Sequence, residues 1–212
     1  MPLICLFGPD GSGKTTLARA LAKEFKRRGA RVTVSWMRGT HTIASMLAKL
    51  LSRFTLFRGP DNPYYGISIP NNAKRMWQLI EFVSALPILL YRFTLPCFLG
   101  HVVIAERYLP DFLVWVSLTT RDTRYLRSLE AKFMLALSAK TSMKFYVTAS
   151  EAELAKRRGE EVNHELLSRQ LKLYDKVAKL VRAYRIDTTK RSVKETLDHL
   201  LNLIHRIVRP EV

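Results

Sequence analysis

A chain of 212 residues, 48% of them hydrophobic, is long enough for one good core, so a single domain is expected over residues 1–212. The balance of 35 Lys and Arg against 18 Asp and Glu gives a net charge of +17, which favours nucleotides, nucleic acid or anionic membrane surfaces as partners without choosing among them. Cys5 and Cys97 lie in apolar runs and form no CxxC pair or metal set with the histidines, which excludes a disulfide scaffold and favours a reduced, cytoplasmic protein.

The chain opens with the apolar run Leu3-Ile4-Cys5-Leu6-Phe7, a plausible buried strand with no basic leader, so no signal peptide is expected. Directly after it, Gly8-Pro9-Asp10-Gly11-Ser12-Gly13-Lys14-Thr15-Thr16 fits the phosphate-loop pattern G-x-x-x-x-G-K-[ST]. Glycines let successive N–H groups point inward at a polyphosphate, and the helix that follows adds its positive end. Gly8, Gly11, Ser12, Gly13, Lys14, Thr15 and Thr16 are therefore candidate nucleotide-binding residues. Lys14 is placed to neutralise the β- and γ-phosphates of ATP, and the Thr15 hydroxyl to ligate Mg²⁺.

Leu17, Leu21 and Phe25 recur at helical spacing up to Gly29, predicting a helix from Lys14 to Arg28. Arg31 to Trp36 reads as a second strand, parallel to the first because a long helix separates them. Thr42 is placed to cap a second helix ending near Phe54, with Ile43, Met46, Leu47, Leu50 and Leu51 as its apolar stripe. Between Thr55 and Asn72 lies a loop rich in turn formers that carries Tyr64 and Tyr65. Its aromatics either border a substrate pocket or decorate a solvated connection.

A third helix is expected from about Ala73 to Tyr91, with Met76, Leu79, Ile80 and Val83 on one side and a kink at Pro87. The long apolar tract from Phe82 to Ala105 is cut by Pro87, Arg92, Pro96, Gly100 and His101, so it reads as helix followed by buried strand and not as a membrane span. The strand, His101 to Ala105, ends in Glu106-Arg107-Tyr108. Ligands of open α/β sheets bind at that carboxyl end, although a surface salt bridge is the plainer alternative.

Further on, Arg124 to Leu137 looks helical through Leu126, Leu129, Phe133 and Leu137, and Lys144 to Thr148 is a strand. Ser150 caps a short helix that runs into the basic turn Lys156-Arg157-Arg158-Gly159-Glu160-Glu161. A helix from Leu166 to Val181, a weak strand at Ile186-Asp187-Thr188 and a terminal helix through Val193, Leu197, Leu200, Leu201 and Ile204 complete the pattern.

In this order the motifs resemble the thymidylate kinase family of nucleoside monophosphate kinases, over nearly the whole chain. The resemblance implies an α/β, three-layer P-loop NTPase fold with a five-stranded parallel sheet, and γ-phosphoryl transfer from ATP-Mg to dTMP. It places Asp10 against the acceptor's sugar, and Arg38, in Trp36-Met37-Arg38-Gly39-Thr40, on the acceptor phosphate. Glu106 becomes a magnesium-linked carboxylate and Arg107 a phosphate clamp. Arg157 and Arg158 match a lid at about 156–165 that supplies transition-state charge, and Tyr174 matches the tyrosine of the helix after the lid. A homodimer is expected.

Two positions depart from the family pattern. Leu86 falls where an arginine usually reads the thymine ring, with Arg75, Gln78 and Arg92 as substitutes if the helix register shifts, and Asp111 stands where a serine is common. The acceptor is thus less defined than the reaction. A polynucleotide 5′-kinase or other nucleic-acid-binding ATPase is the alternative motivated by the charge, and a nucleoside kinase that motivated by Glu106-Arg107. A nucleotide binder without turnover shares the same fold.

Overall fold

A computed structural model describes residues 3–37, 43–62, 64–159 and 163–208. Strands β1 (Leu3–Phe7), β2 (Val32–Trp36), β4 (Val102–Glu106), β5 (Ser142–Thr148) and β6 (Tyr184–Asp187) form one sheet in the order β2-β4-β1-β5-β6. Every neighbouring pair is parallel. A parallel sheet needs both faces covered, which is why β1 is apolar at every position and fully buried. A separate short strand, β3 (Arg58–Asn62), bridges antiparallel to Ile67 within the connection between the second and third helices.

The alternation of side chains along β1 and β4 sorts the core into two layers. Leu3, Cys5, Phe7, Val103 and Ala105 pack with Leu109, Leu113 and Val116 of helix α5 (Leu109–Thr119) and with Tyr174 and Val177 of α8 (His164–Leu180). Ile4, Leu6 and Ile104 face the other way, onto Leu17 and Leu21 of α1 (Lys14–Arg27) and Leu200 and Ile204 of α9 (Val193–Val208). Each such fully buried aliphatic side chain contributes roughly 1.5–3 kcal/mol. The result is the three-layer, helix-flanked parallel sheet of a P-loop NTPase fold, as expected.

Helices α2 (Ile43–Leu51), α3 (Lys74–Ile88), α4 (Leu95–Phe98), α6 (Leu129–Thr141) and α7 (Glu151–Arg158) fill in the periphery. Pro87 leaves α3 without one backbone donor, and a π-helical turn at Leu89–Thr94 follows before the helix resumes as α4. The run Asn71–Phe98 is long and apolar enough, by length and composition, to cross a membrane.

The expected apolar stripes of α2 and α3 are only partly buried: Leu47 and Leu51 of α2 and Ile80 of α3 pack against the cluster of Ala44, Ala48 and Trp77, while the other members face outward. Met76, Leu79 and Val83 are exposed, as are Ile43, Met46 and Leu50 of α2. Inside lie Trp77, Gln78, Glu81, Ser84 and Ala85 of α3 and Ala44, Ser45 and Ala48 of α2. Small residues let these helices approach closely, with Ser84 Oγ accepting the Ala44 N–H at 3.0 Å, so close packing displaces the bulkier stripe outward.

The segment before β5 is also corrected. A 3-10 turn at Thr123–Arg127 precedes α6, whose Leu129 and Phe133 are exposed while Ala131 and Met134 are buried. Asp122 Oδ1 accepts the Arg124 N–H at 2.9 Å and holds the chain in the tighter turn. Helix α5 has no amphipathic signature, because it is buried nearly all round and so lacks a polar face. Thr42, Arg38, Glu160 and Glu161 lie outside the described residues.

Candidate functional site

All sheet strands point their carboxyl ends at one rim, and the candidate residues among those described gather there, Arg38 lying outside them. The phosphate loop leaves β1 in a curl that uses positive φ at Gly8, Gly11 and Gly13. At Gly8 the curl brings the backbone against β5: a Cβ would stand 2.0 Å from the Val147 carbonyl oxygen. Lys14 is buried inside the curl, its Nζ donating to Pro9 O at 2.6 Å and reaching Ser12 Oγ at 3.4 Å. An ammonium held by its own loop is poised for anionic oxygens entering from the solvent side.

Glu106 and Thr15 meet across the cradle, where the Thr15 hydroxyl donates to Glu106 Oε1. Both are hard oxygen donors. They fit Mg²⁺, which takes one or two protein oxygens and completes its octahedron with phosphate and water. Among the described residues no group of three or more His, Cys, Asp or Glu converges as an all-protein metal cage.

Arg107 sits at the end of β4 in a left-handed conformation, φ 65°, which costs a non-glycine residue roughly 1–3 kcal/mol. The surrounding sheet enforces it: Arg107 N–H donates to Leu6 O at 3.1 Å, and Met37 N–H donates to Arg107 O at 3.1 Å. The guanidinium is thereby turned toward the phosphate loop, where it pairs with Asp10. Its other side faces Asp111 at 3.8 Å.

Asp111, an apparent misfit in the sequence, is a structural knot. Its Oδ1 accepts from Tyr174 Oη at 2.8 Å and from Gly8 N–H at 3.4 Å, and its Oδ2 from Tyr108 N–H at 3.3 Å. Burial pushes its carboxyl pKa up, opposed by the charges of Arg107 and Lys14 and by the Tyr174 and Gly8 hydrogen bonds. Tyr174 is fully enclosed, stacked on Tyr146 with ring centroids 6.1 Å apart, and burial beside Asp111 raises its phenol well above the usual range. One carboxylate thus ties the loop, α5 and α8 together.

The arginines of the basic turn divide. Arg157 is bound on four sides, donating to Gly11 O at 3.3 Å, Thr188 O at 2.8 Å, Thr188 Oγ1 at 3.0 Å and Glu153 Oε1 at 2.8 Å. It borders the phosphate cradle together with Asp10, Gly11, Gly13, Lys14, Thr15, Thr16 and Arg107. Arg158 instead enters a second cavity of about 250 Å³ on the far side of Asp10 and Arg107.

That second cavity is mainly aromatic and aliphatic, with Tyr64, Phe112, Trp115 and Leu118 on its walls and Gln170 and Tyr174 supplying polar groups. Tyr64 rests on Trp115 at 5.3 Å between centroids and a 40° tilt, which settles the loop tyrosines: Tyr64 borders the pocket and Tyr65 packs beside the α2–α3 cluster. The proposed substitutes for a ring-reading arginine do not reach it. Arg75 is paired with Glu130 at 2.5 Å, Gln78 with Asp122 at 3.1 Å, and Arg92 lies on the Trp36 ring at 5.5 Å, while Leu86 is exposed on the outer side of α3. The residues that do line the cavity, Phe112, Trp115 and Gln170, belong to no motif, and only the apolar run after Glu106-Arg107-Tyr108 hinted at an element there.

A family model for the ATPase family associated with various cellular activities (AAA) matches residues 4–64, which span β1, the phosphate loop, α1, β2, α2 and β3. No curated protein gives a match. The match covers less than half of the chain and agrees with the P-loop NTPase fold seen in the sheet order. The phosphate loop is a nucleotide-binding one, of the kind that takes ATP, typically with Mg²⁺.

Proposed function

We propose that this chain is an ATP-dependent phosphotransferase, a nucleoside monophosphate kinase whose acceptor is dTMP. The observation that carries the reading is a shared wall: Asp10 and Arg107 line both the phosphate cradle and the aromatic cavity behind it. Two ligands seated in those spaces meet at one ion pair. Phosphoryl transfer asks for little else, since positioning and charge cancellation account for nearly all of its catalysis.

In this reading Lys14 and the loop amides hold the β- and γ-phosphates, and Thr15 with Glu106 would hold Mg²⁺, which when bound neutralises charge on the transferring group. Arg107 exchanges Asp10 for the acceptor phosphate and aligns it with the γ-phosphoryl group. Arg158 reaches the acceptor from the lid, while Arg157 keeps the loop in shape and adds charge beside it. An arginine of this kind is worth roughly three to five powers of ten in related reactions. Arg38 is assigned to the acceptor phosphate from the resemblance alone. The acceptor's flat ring lies against Trp115 and Tyr64, with Gln170 as its polar reader, which offers a physical substitute for the missing arginine.

ADP release with ATP-Mg should be measured over a panel of nucleoside monophosphates, nucleosides and 5′-hydroxyl oligonucleotides. Preference for dTMP is expected. Turnover of nucleosides alone or of oligonucleotides alone would overturn the assignment in favour of a nucleoside kinase or a polynucleotide kinase. The proposal extends to a cytoplasmic homodimer, which sedimentation would read.

A further inference from the structure

Asp61 of β3 and Arg121, just past the end of α5, form an ion pair that the proposed chemistry does not use. The Asp61 side chain is nearly buried and belongs to the wall of the aromatic cavity, whereas Arg121 borders a separate space on the outer side, together with Glu165 and Arg169. The arginine therefore meets the carboxylate from behind. Its backbone is left-handed, φ 47°, with the Arg121 N–H donating to Leu118 O and the Asp122 N–H to Ser117 O, both at 3.0 Å. Glycine is favoured at such a helix end, since a Cβ is crowded there. An arginine carries that steric cost, and its side-chain contact offsets it.

We propose that Arg121 is a positioning residue of the second cavity: its ion pair with Asp61 latches β3 onto α5 and keeps Tyr64 on the Trp115 ring. Strand β3 has no place in the sheet, and it bridges to Ile67 within its own connection. Phe57 and Ile67 anchor one side of that connection among α2 and α3. Toward α5 it is held at two points, Tyr64 on Trp115 and Asp61 on Arg121, which lie roughly 9 Å apart along the helix. Leu118 and Thr119, both on the cavity wall, fall between them. The two tethers thus bracket the face against which the acceptor lies.

The pair also sets the charge of the wall. A lone carboxylate beside a phosphate-bearing acceptor would repel it, and Arg121 cancels that charge without entering the cavity. Removing the arginine therefore has two effects, a freed β3 and a bared carboxylate. Removing the carboxylate has only the first. The inference rests on the cavity being the acceptor site.

Arg121→Gly is the main variant, because glycine accepts the left-handed backbone. Its thermal midpoint should stay close to wild type, since relief of the steric cost offsets the freedom that glycine gives the unfolded chain. One arm of the test needs no turnover: amide hydrogen exchange of the full chain should speed up over residues 58–62 and 64–68 in Arg121→Gly and Asp61→Asn, while β1 and β4 exchange as in wild type. In the second arm, the acceptor KM should rise about tenfold in Arg121→Gly and about threefold in Asp61→Asn, with kcat at saturation and the ATP KM within about twofold of wild type. Adding Asp61→Asn to Arg121→Gly should bring KM back to the lower of those levels, and Arg121→Lys should stay near wild type. Wild-type exchange in both single variants, or an Arg121→Gly enzyme with the wild-type acceptor KM, overturns the proposal. If Arg121→Gly does not fold, Asp61→Asn decides by the same two readouts. Faster exchange in a protein that phosphorylates no tested acceptor would refute the function while leaving the latch standing.

Discussion

The phosphate cradle and the aromatic cavity share a wall but are built on opposite plans. The cradle comes from one continuous stretch, Gly8 to Thr16, and its contacts are mostly backbone groups held in a curl. The cavity takes single side chains from distant parts of the chain: Tyr64 from a loop, Phe112 and Trp115 from α5, Gln170 and Tyr174 from α8. A site made of backbone recognises what every nucleoside triphosphate has in common. A site made of side chains can change its ligand through single substitutions without disturbing the first.

Substitutions can break that contrast or sharpen it. The largest expected effect is at the cradle's buried charge. Lys14→Ala should lower kcat by roughly a thousandfold or more while the thermal midpoint stays close to wild type; measurable turnover near the parent rate would show that the cradle is not where the phosphates bind.

The second effect is on stability and lies behind the cavity. Glu81 has its folded pKa raised from 4.5 to about 7. Its contribution to stability is thus complete below the unfolded pKa and is lost as pH rises through the folded one. The loss should reach about 3 kcal/mol by pH 8. Asp111, also raised by burial, acts with the same sign, so Glu81→Gln should remove part of the slope and not all of it. Chemical denaturation at pH 5, 6.5 and 8 would read both.

Gly8→Ala should be next. The methyl would collide with the Val147 carbonyl, and the loss of roughly 1–3 kcal/mol would register in the denaturation midpoint. Smallest is Trp115→Ala, expected to raise the acceptor KM by about tenfold while the ATP KM stays within about twofold. If both constants moved together, the two spaces would be one site.

How far each region can be read from the chain follows from the same contrast. The cradle was legible because its spacing is local and its strand and helix flank it directly. Glu106-Arg107 was legible because a buried strand ends there. The cavity was not, since α5 is enclosed on nearly every side and shows no period, and its members converge only after the sheet has formed. Periodicity also marks an apolar stripe without saying which way it faces. On α3 the outward face is Met76, Leu79 and Val83, while Gln78, Glu81 and Ser84 face in, with Gln78 bonded to Asp122 and Ser84 to the Ala44 N–H.

The ion pair at the shared wall has a consequence for the order of events. Because Asp10 already occupies the guanidinium of Arg107, any anion arriving in either chamber must compete for the same cation, and whichever ligand enters first alters the welcome given to the other. Occupancy of the two chambers should not be independent. Titrating a non-hydrolysable ATP analogue with and without dTMP would expose that coupling, and Asp10→Asn should weaken it.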